Sequence, residues 1–175
     1  MMRCKHCKEK FEPIRFNQKF CLKDECIKVW VESVRKKAWV ESKAKMKKEV
    51  QTLSDIKKEA QKIFNTFIRL RDANKPCVSC GGSLGEKYDA GHYFSMGGHG
   101  AVTYNEDNVH AQCVRCNRYL HGNLIQYQIG IEQRIGGEKL IELHEKAHET
   151  KKFTKHELLD IIEVYKEKVK KMKKK

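Results

Sequence analysis

Apolar residues recur at helical spacing in two stretches of the chain and thin out elsewhere. Leu53, Ile56, Ala60, Ile63, Phe67 and Leu70 stand 3, 4, 3, 4 and 3 positions apart, a heptad stripe that predicts an amphipathic helix packed on a partner surface. Thr52 and Asp55 have capping-box spacing, so this helix is expected to begin afresh there. Upstream, from Ile27, the chain lacks Pro and Gly and is rich in Lys, Glu and Ala, with few apolar positions. That pattern predicts an exposed basic helical linker, either a solvated helix or a phosphate-contacting arm.

Pro76 ends the helical region, and residues 77–117 are rich in glycine and poor in helix signals. Helical character returns over Arg118 to Gln128, breaks at Gly136 and Gly137, and resumes in GEKLIELHEKAH. Phe153, Thr154, Glu157 and Leu158 fit a hydrophobic staple around a capping box, launching a last helix whose apolar face includes Leu159, Ile162, Tyr165 and Val169. The closing run KEKVKKMKKK is expected to be disordered when free. No repeat of 20 to 50 residues is visible.

Composition narrows the class. A length of 175 residues allows one ordinary domain plus appendages, and a mean hydropathy of -0.73 implies a small core. The net charge of +14, from 37 Lys+Arg against 23 Asp+Glu, calls for a polyanionic partner. Nucleic acid is the commonest, with anionic membrane as the competing reading. No window approaches a membrane span, and MMRCKHCKEK lacks the apolar core of a signal peptide, so a cytoplasmic location is expected.

Eight cysteines in close pairs, without an export signal, point to metal rather than disulfides. Cys4 and Cys7, then Cys21 and Cys26, enclose Phe11, Phe16 and Phe20 and predict a compact zinc ribbon over residues 1–30 that depends on its metal to fold. His6 is an alternative ligand. Cys77 and Cys80, with Cys113 and Cys116, predict a second structural zinc whose four thiolates leave no open position for water. Any chemistry there must use other side chains. Asp89, His92, His99, Asn108, His110, Asn117 and His121 are the candidates between and just after these pairs. In a helix starting after the second pair, Asn117 and His121 would share one face.

This order resembles the HNH, or ββα-metal, nucleases, in which two short strands and a helix grip one divalent ion. The runs AGHYFSMGGHG, YNEDNVHAQCVRCNRYLHGN and IGGEKL narrow the resemblance to the phage NinG (Rap) family, over about residues 63–145. The resemblance implies a general-base His92 at the end of the first strand and an Asn108 that orients it. It further implies Asn117 and His121 as ligands of a catalytic Mg²⁺ or Mn²⁺, with Asp89 as a further ligand. Gly91 departs from the pattern, since many HNH members carry Asp or His immediately before the base.

The expected fold class is therefore α+β and mainly helical: an N-terminal zinc ribbon (1–30), a basic helical linker (31–62), a zinc-stapled ββα-metal core (63–130), and C-terminal helices with a lysine-rich tail (131–175). The expected activity, from the resemblance, is endonucleolytic cutting of branched recombination intermediates such as Holliday junctions or D-loops. A duplex-nicking HNH enzyme and a non-catalytic zinc-dependent DNA-binding protein are the alternatives. Arg115 and Arg118 are candidate phosphate contacts, and His99, in a glycine-rich loop, could approach the phosphate. His110 is read as packing beside the zinc. Expected partners are branched or double-stranded DNA, a second copy of the chain through the 53–70 stripe, and phage or host recombination proteins.

Overall fold

A computed structural model describes residues 1–49 and 51–174. Val50, inside the expected linker, and Lys175, at the end of the lysine run, lie outside the described residues. The chain divides into two compact units, Met1–Gln51 and Thr52–Lys175. The division falls inside the segment read as linker, at the point where Thr52 starts a new helix.

In the first unit, strands β1 (Met2–Arg3) and β2 (Lys10–Phe11) form a two-stranded antiparallel hairpin. Helix α1 (Asp24–Glu49) follows, with Asp24 and Glu25 in its first turn, where carboxylates favour the helix dipole. Cys4, Cys21 and Cys26 are buried at the junction, with Phe11 and Phe20 packed against them.

In the second unit, α2 (Leu53–Arg71) starts from a complete capping box in which Thr52 and Asp55 exchange side-chain to backbone bonds. Its buried positions are Ile56, Ala60, Phe64, Phe67 and Ile68, and they pack on α5 (Lys155–Met172) through Leu158, Ile162 and Tyr165. The stripe read as a possible dimer surface is thus spent within the chain. Helix α5 carries the second complete capping box, between Thr154 and Glu157. Its buried face includes Ile162 and Tyr165 as expected but differs at one position: Leu158 is fully buried while Leu159 is 44% exposed. The series 158, 162, 165 keeps the 4, 3 rhythm of a straight helix, which a start at 159 does not. The run expected to be disordered continues α5 as far as Met172.

Between these helices and the pair α3 (Leu124–Ile135) and α4 (Gly137–Ala147) sits the second hairpin, β3 (Tyr88–His92) against β4 (Val109–Cys113). Val109 packs into the α2/α5 cluster, while Val78, Val102, Tyr127, Ile131, Leu140 and Leu143 form the core beside α3 and α4. Gly130 of α3 is a contact glycine. A Cβ there would lie 1.7 Å from the Val78 carbonyl oxygen, so only glycine lets the helix meet the Cys77–Cys80 knuckle.

One buried acid joins these layers. Asp72, fully buried, accepts from Arg71 at 2.8 and 2.9 Å and from the Ala111 amide at 3.0 Å, with Arg134 of α3 at 3.4 Å. His110 belongs to this cluster rather than to the zinc site. Its Nε2–H donates to the Asp107 carbonyl, and its Nδ1 accepts from Arg71 at 3.0 Å, closer than the 3.7 Å to Asp72. Burial alone would raise the Asp72 pKa, but the Arg71 guanidinium and the Ala111 amide hold it well below the usual carboxylate range. A depressed folded-state pKa stabilises the protein above about pH 4 and loses that contribution as the medium becomes more acid. Asp72→Asn is expected to cost about 3–5 kcal/mol at neutral pH by leaving buried guanidinium groups uncompensated. Urea unfolding at pH 7 measures it; a loss below about 1 kcal/mol would show the cluster to be dispensable.

Candidate functional site

Each cysteine set forms a cage. Within each set the sulfur atoms lie within 4.8 Å of one another. Cys7 and Cys21 are 3.7 Å apart and Cys80 and Cys113 are 4.0 Å apart. Zn–S bonds of about 2.3 Å at tetrahedral angles require sulfur separations of roughly 3.8 Å, so both sets can hold zinc. Backbone amides support the thiolates, from Cys21 to Cys4 and from Cys113 to Cys77, each at 3.3 Å. Burial raises the pKa of Cys4 and Cys77, but amide hydrogen bonds overcome it and bring them to about 6 and about 7. Burial and the neighbouring sulfurs push Cys26 and Cys116 up to about 12. Four crowded thiols cannot all ionise on their own, and a bound cation removes that conflict. His6 is exposed and lies outside the first cage.

The second cage anchors the end of β4, and the chain beyond it departs from the expected single helix. Arg115–Tyr119 makes one wide helical turn. His121, Gly122 and Asn123 then all take positive φ, at 48°, 90° and 45°, before α3 begins at Leu124. Three successive left-handed residues cannot continue a right-handed helix. Asn117 and His121 therefore do not share a helix face. With His92, they line one open cleft of about 820 Å³, to whose lining Gln61 and Asn65 of α2 also contribute.

His92 ends β3 opposite Val109. Its Nε2 lies 3.3 Å from the Thr103 carbonyl oxygen. A carbonyl can only accept, so the neutral ring carries its proton on Nε2 and its lone pair on Nδ1. Burial pulls its pKa below the usual histidine value, against the carbonyls of Thr103 and Ala90, and keeps the ring neutral. Asn108, fully buried, braces the loop that brings Thr103 to the ring. Its Oδ1 accepts from the Phe94 amide at 2.8 Å, and its Nδ2 donates to the carbonyls of Phe94 and Val102 at 3.1 and 2.9 Å. Asn108 thus touches the backbone of the loop rather than the His92 ring.

Asp89 lies on the opposite face of β3 from His92, as the alternation of a strand requires. Its Oδ2 accepts from Asn117 Nδ2 at 3.0 Å, and both oxygens receive Arg118, at 2.7 and 2.8 Å. It borders a separate groove with Arg69 and Arg118. The carboxylate read as a ligand is placed as a brace: by holding the NH₂ of Asn117, it leaves that side chain's Oδ1 as the open acceptor. The Arg118 hydrogen bond and charge hold Asp89 in the ionised form.

Gly91 has a structural reason. A Cβ there would lie 2.2 Å from Oε1 of Gln112, whose fully buried side chain is pinned by bonds from Nε2 to Ser79 Oγ and the Gly122 carbonyl. No side chain, ligand or otherwise, fits at this position without displacing Gln112. The cleft's candidate donors are therefore the imidazoles of His92, His99 and His121 and the neutral oxygens of side chains such as Asn117, with no carboxylate. Such a set fits a divalent ion only as part of its shell, with water or phosphate oxygens supplying the rest.

His99 is anchored: its Nδ1–H donates to the Ala147 carbonyl at 2.9 Å and its ring packs on Phe94. It lines the edge of the cleft and of a second, lysine-rich groove beside it. Arg115 and Arg118 are exposed, Arg118 with its fork on Asp89. Three contributors had no signal in the sequence. Gln61 and Asn65 fall between the stripe positions of α2, and Tyr127 reads as an ordinary core aromatic. Its buried hydroxyl donates to the Gly91 carbonyl at 2.8 Å and accepts from the His110 amide at 3.0 Å, fixing α3 to both strands beside His92.

Comparison with known proteins finds relatives over the full length of the chain. The family model described as "Bacteriophage Lambda NinG protein" matches residues 1–175. Protein ninG of Escherichia phage 933W is 34% identical over 186 residues, spanning 96% of this chain and 92% of that protein. Protein ninG of Escherichia phage lambda is 40% identical over 113 residues, 65% of this chain and 55% of its own length. The corresponding protein of Salmonella phage P22 is 38% identical over a stretch of the same length. No solved structure matches the chain.

Proposed function

Since this chain belongs to the bacteriophage lambda NinG family, we propose that it is a metal-dependent endonuclease of the HNH type, cutting branched recombination intermediates. The observation that carries the reading is His92 itself. A neutral imidazole, held by the Thr103 carbonyl with its lone pair on Nδ1, lines the same open cleft as Asn117 and His121.

Phosphodiester hydrolysis needs a water deprotonated near neutral pH. In the proposed mechanism His92 Nδ1 takes that proton as the water oxygen bonds to phosphorus and the bond to the leaving 3′ oxygen breaks. Asn108 and Thr103 hold the ring in place, and Asp89 keeps Asn117 Oδ1 turned outward. Asn117 and His121 would hold a Mg²⁺ or Mn²⁺ ion, which when bound withdraws charge from the phosphoryl and leaving oxygens. Lys57, Lys58, Lys62, Lys151 and Lys152 line the neighbouring groove. They suit phosphate contacts that position DNA without reading sequence.

The direct test is cleavage by the zinc-loaded protein, with Mg²⁺ or Mn²⁺, of a four-way junction, a D-loop and a linear duplex. Cutting of the branched substrates in preference to the duplex is expected. Equal nicking of all three would favour a duplex-nicking enzyme, and binding without cutting under any divalent ion would favour a DNA-binding accessory protein.

A further inference from the structure

The first unit carries a cleft of its own, far from ordinary for a surface. Ile14, Phe16, Phe20, Leu22, Trp30 and Val34 bring apolar side chains to a depression of about 830 Å³. Phe16 is 97% exposed and Trp30 49%. This exposure belongs to a built loop. The Ile14 amide donates to Gln18 Oε1 at 2.8 Å, Gln18 Nε2 donates to the Phe20 carbonyl at 2.8 Å, and the Lys5 amide donates to the Lys19 carbonyl at 2.8 Å. Residues 14–20 are therefore cross-braced through Gln18 and tied through Lys19 to the Cys4–Cys7 knuckle, and Phe16 is presented to solvent by an ordered support. Aromatic surface held this way marks a binding site.

The rim identifies the ligand chemistry. The charged side chains lining the cleft, among the described residues, are Lys5, Arg15, Lys19 and Lys37, with no acidic one. A ligand matching both features carries a negative charge and a flat apolar face in each repeating unit. A single DNA strand does so, with one phosphate and one unpaired base per nucleotide; a duplex hides its base faces in the stack. We propose that this cleft binds single-stranded DNA, with bases stacked on Phe16 and Trp30 and phosphates paired with the four cations. The inference does not depend on the nuclease reading, because binding in the first unit requires neither His92 nor a catalytic ion.

The test uses the full-length, zinc-loaded protein without added Mg²⁺ or Mn²⁺. Fluorescence anisotropy would compare an oligothymidylate, an abasic strand of equal length and a blunt duplex. Wild type is expected to prefer oligothymidylate to the abasic strand, and Phe16→Ala to weaken oligothymidylate binding about 5- to 150-fold while leaving duplex affinity, zinc content and melting temperature unchanged. Phe16→Tyr should restore it. Equal affinity for the base-bearing and abasic strands, or a Phe16→Ala protein that binds oligothymidylate like wild type, overturns the proposal. Loss in Phe16→Ala of binding to an acidic, apolar peptide, with oligothymidylate affinity intact, would assign the cleft to a protein partner and overturn it equally.

Discussion

His92→Ala is expected to slow cleavage of a four-way junction by about 10²–10⁴-fold, the usual contribution of a positioned general base, while two zinc ions stay bound. The side chain takes no part in the backbone pairing of the hairpin or in either cysteine cage, so the hairpin register and both cages should survive its removal. Single-turnover cleavage under saturating protein isolates the chemical step, and added imidazole should recover part of the rate. The pH profile supplies a second readout. Burial lowers the His92 pKa, so the ring is neutral and able to accept a proton to below the ordinary value of about 6.5. Activity should therefore persist under mildly acid conditions and fall only when the imidazole finally protonates. An alanine variant that cuts at the wild-type rate with its zinc intact would remove His92 from the chemistry.

Loss of the second zinc should have an equally large effect by a different route. Cys116→Ser is expected to reduce the zinc content from two ions per chain to one and to abolish cutting, because Asn117 takes its place from the cage directly before it. Structural zinc sites contribute binding free energy on the order of 10 kcal/mol to folding, so the consequence is local unfolding around β4 rather than a small shift. Zinc measured on the purified variant, with hydrogen exchange over residues 77–123, reads the effect. The first cage should be unaffected, since its cysteines lie in the other unit. If Cys116→Ser keeps both zinc ions, or loses one and still cuts, zinc does not set the position of Asn117.

Local signals were the legible ones. The capping pairs Thr52/Asp55 and Thr154/Glu157 and the four close cysteine pairs are short-range patterns that appear in the structure where the spacing placed them, and the stripe of α2 does so in part: Ile56, Ala60 and Phe67 are buried, Leu53 is exposed, and Phe64 and Ile68 complete the face. Two local readings missed by a little: α5 buries Leu158 instead of Leu159, and the helix after the knuckle is interrupted at His121, Gly122 and Asn123, residue types that accept left-handed backbone more readily than most. What sequence spacing could not show is what lies opposite what. His110 looked like a neighbour of the zinc because Cys113 is close in sequence, but its partners Arg71 and Asp72 come from the end of α2. Asp89 looked like a ligand beside His92, whereas strand alternation and Arg118 turn it away. Gly91 looked like a missing ligand and proves to be the space that Gln112 fills.

The stretch from Asn108 to Asn123 carries the loop brace, one strand, half a cysteine cage, the amide of Asn117 held by Asp89 and the turn that sets the start of α3. Its residues hold their tasks by counting. Gly91 is opposite His110 and Asp89 opposite Gln112 only in one register, and a shift of one position in a strand exchanges its two faces. An added residue between Asn108 and Cys113 would turn the buried Gln112 outward and drag the cysteines out of reach of Cys77 and Cys80 together. This part of the chain can exchange side chains, but it cannot change length.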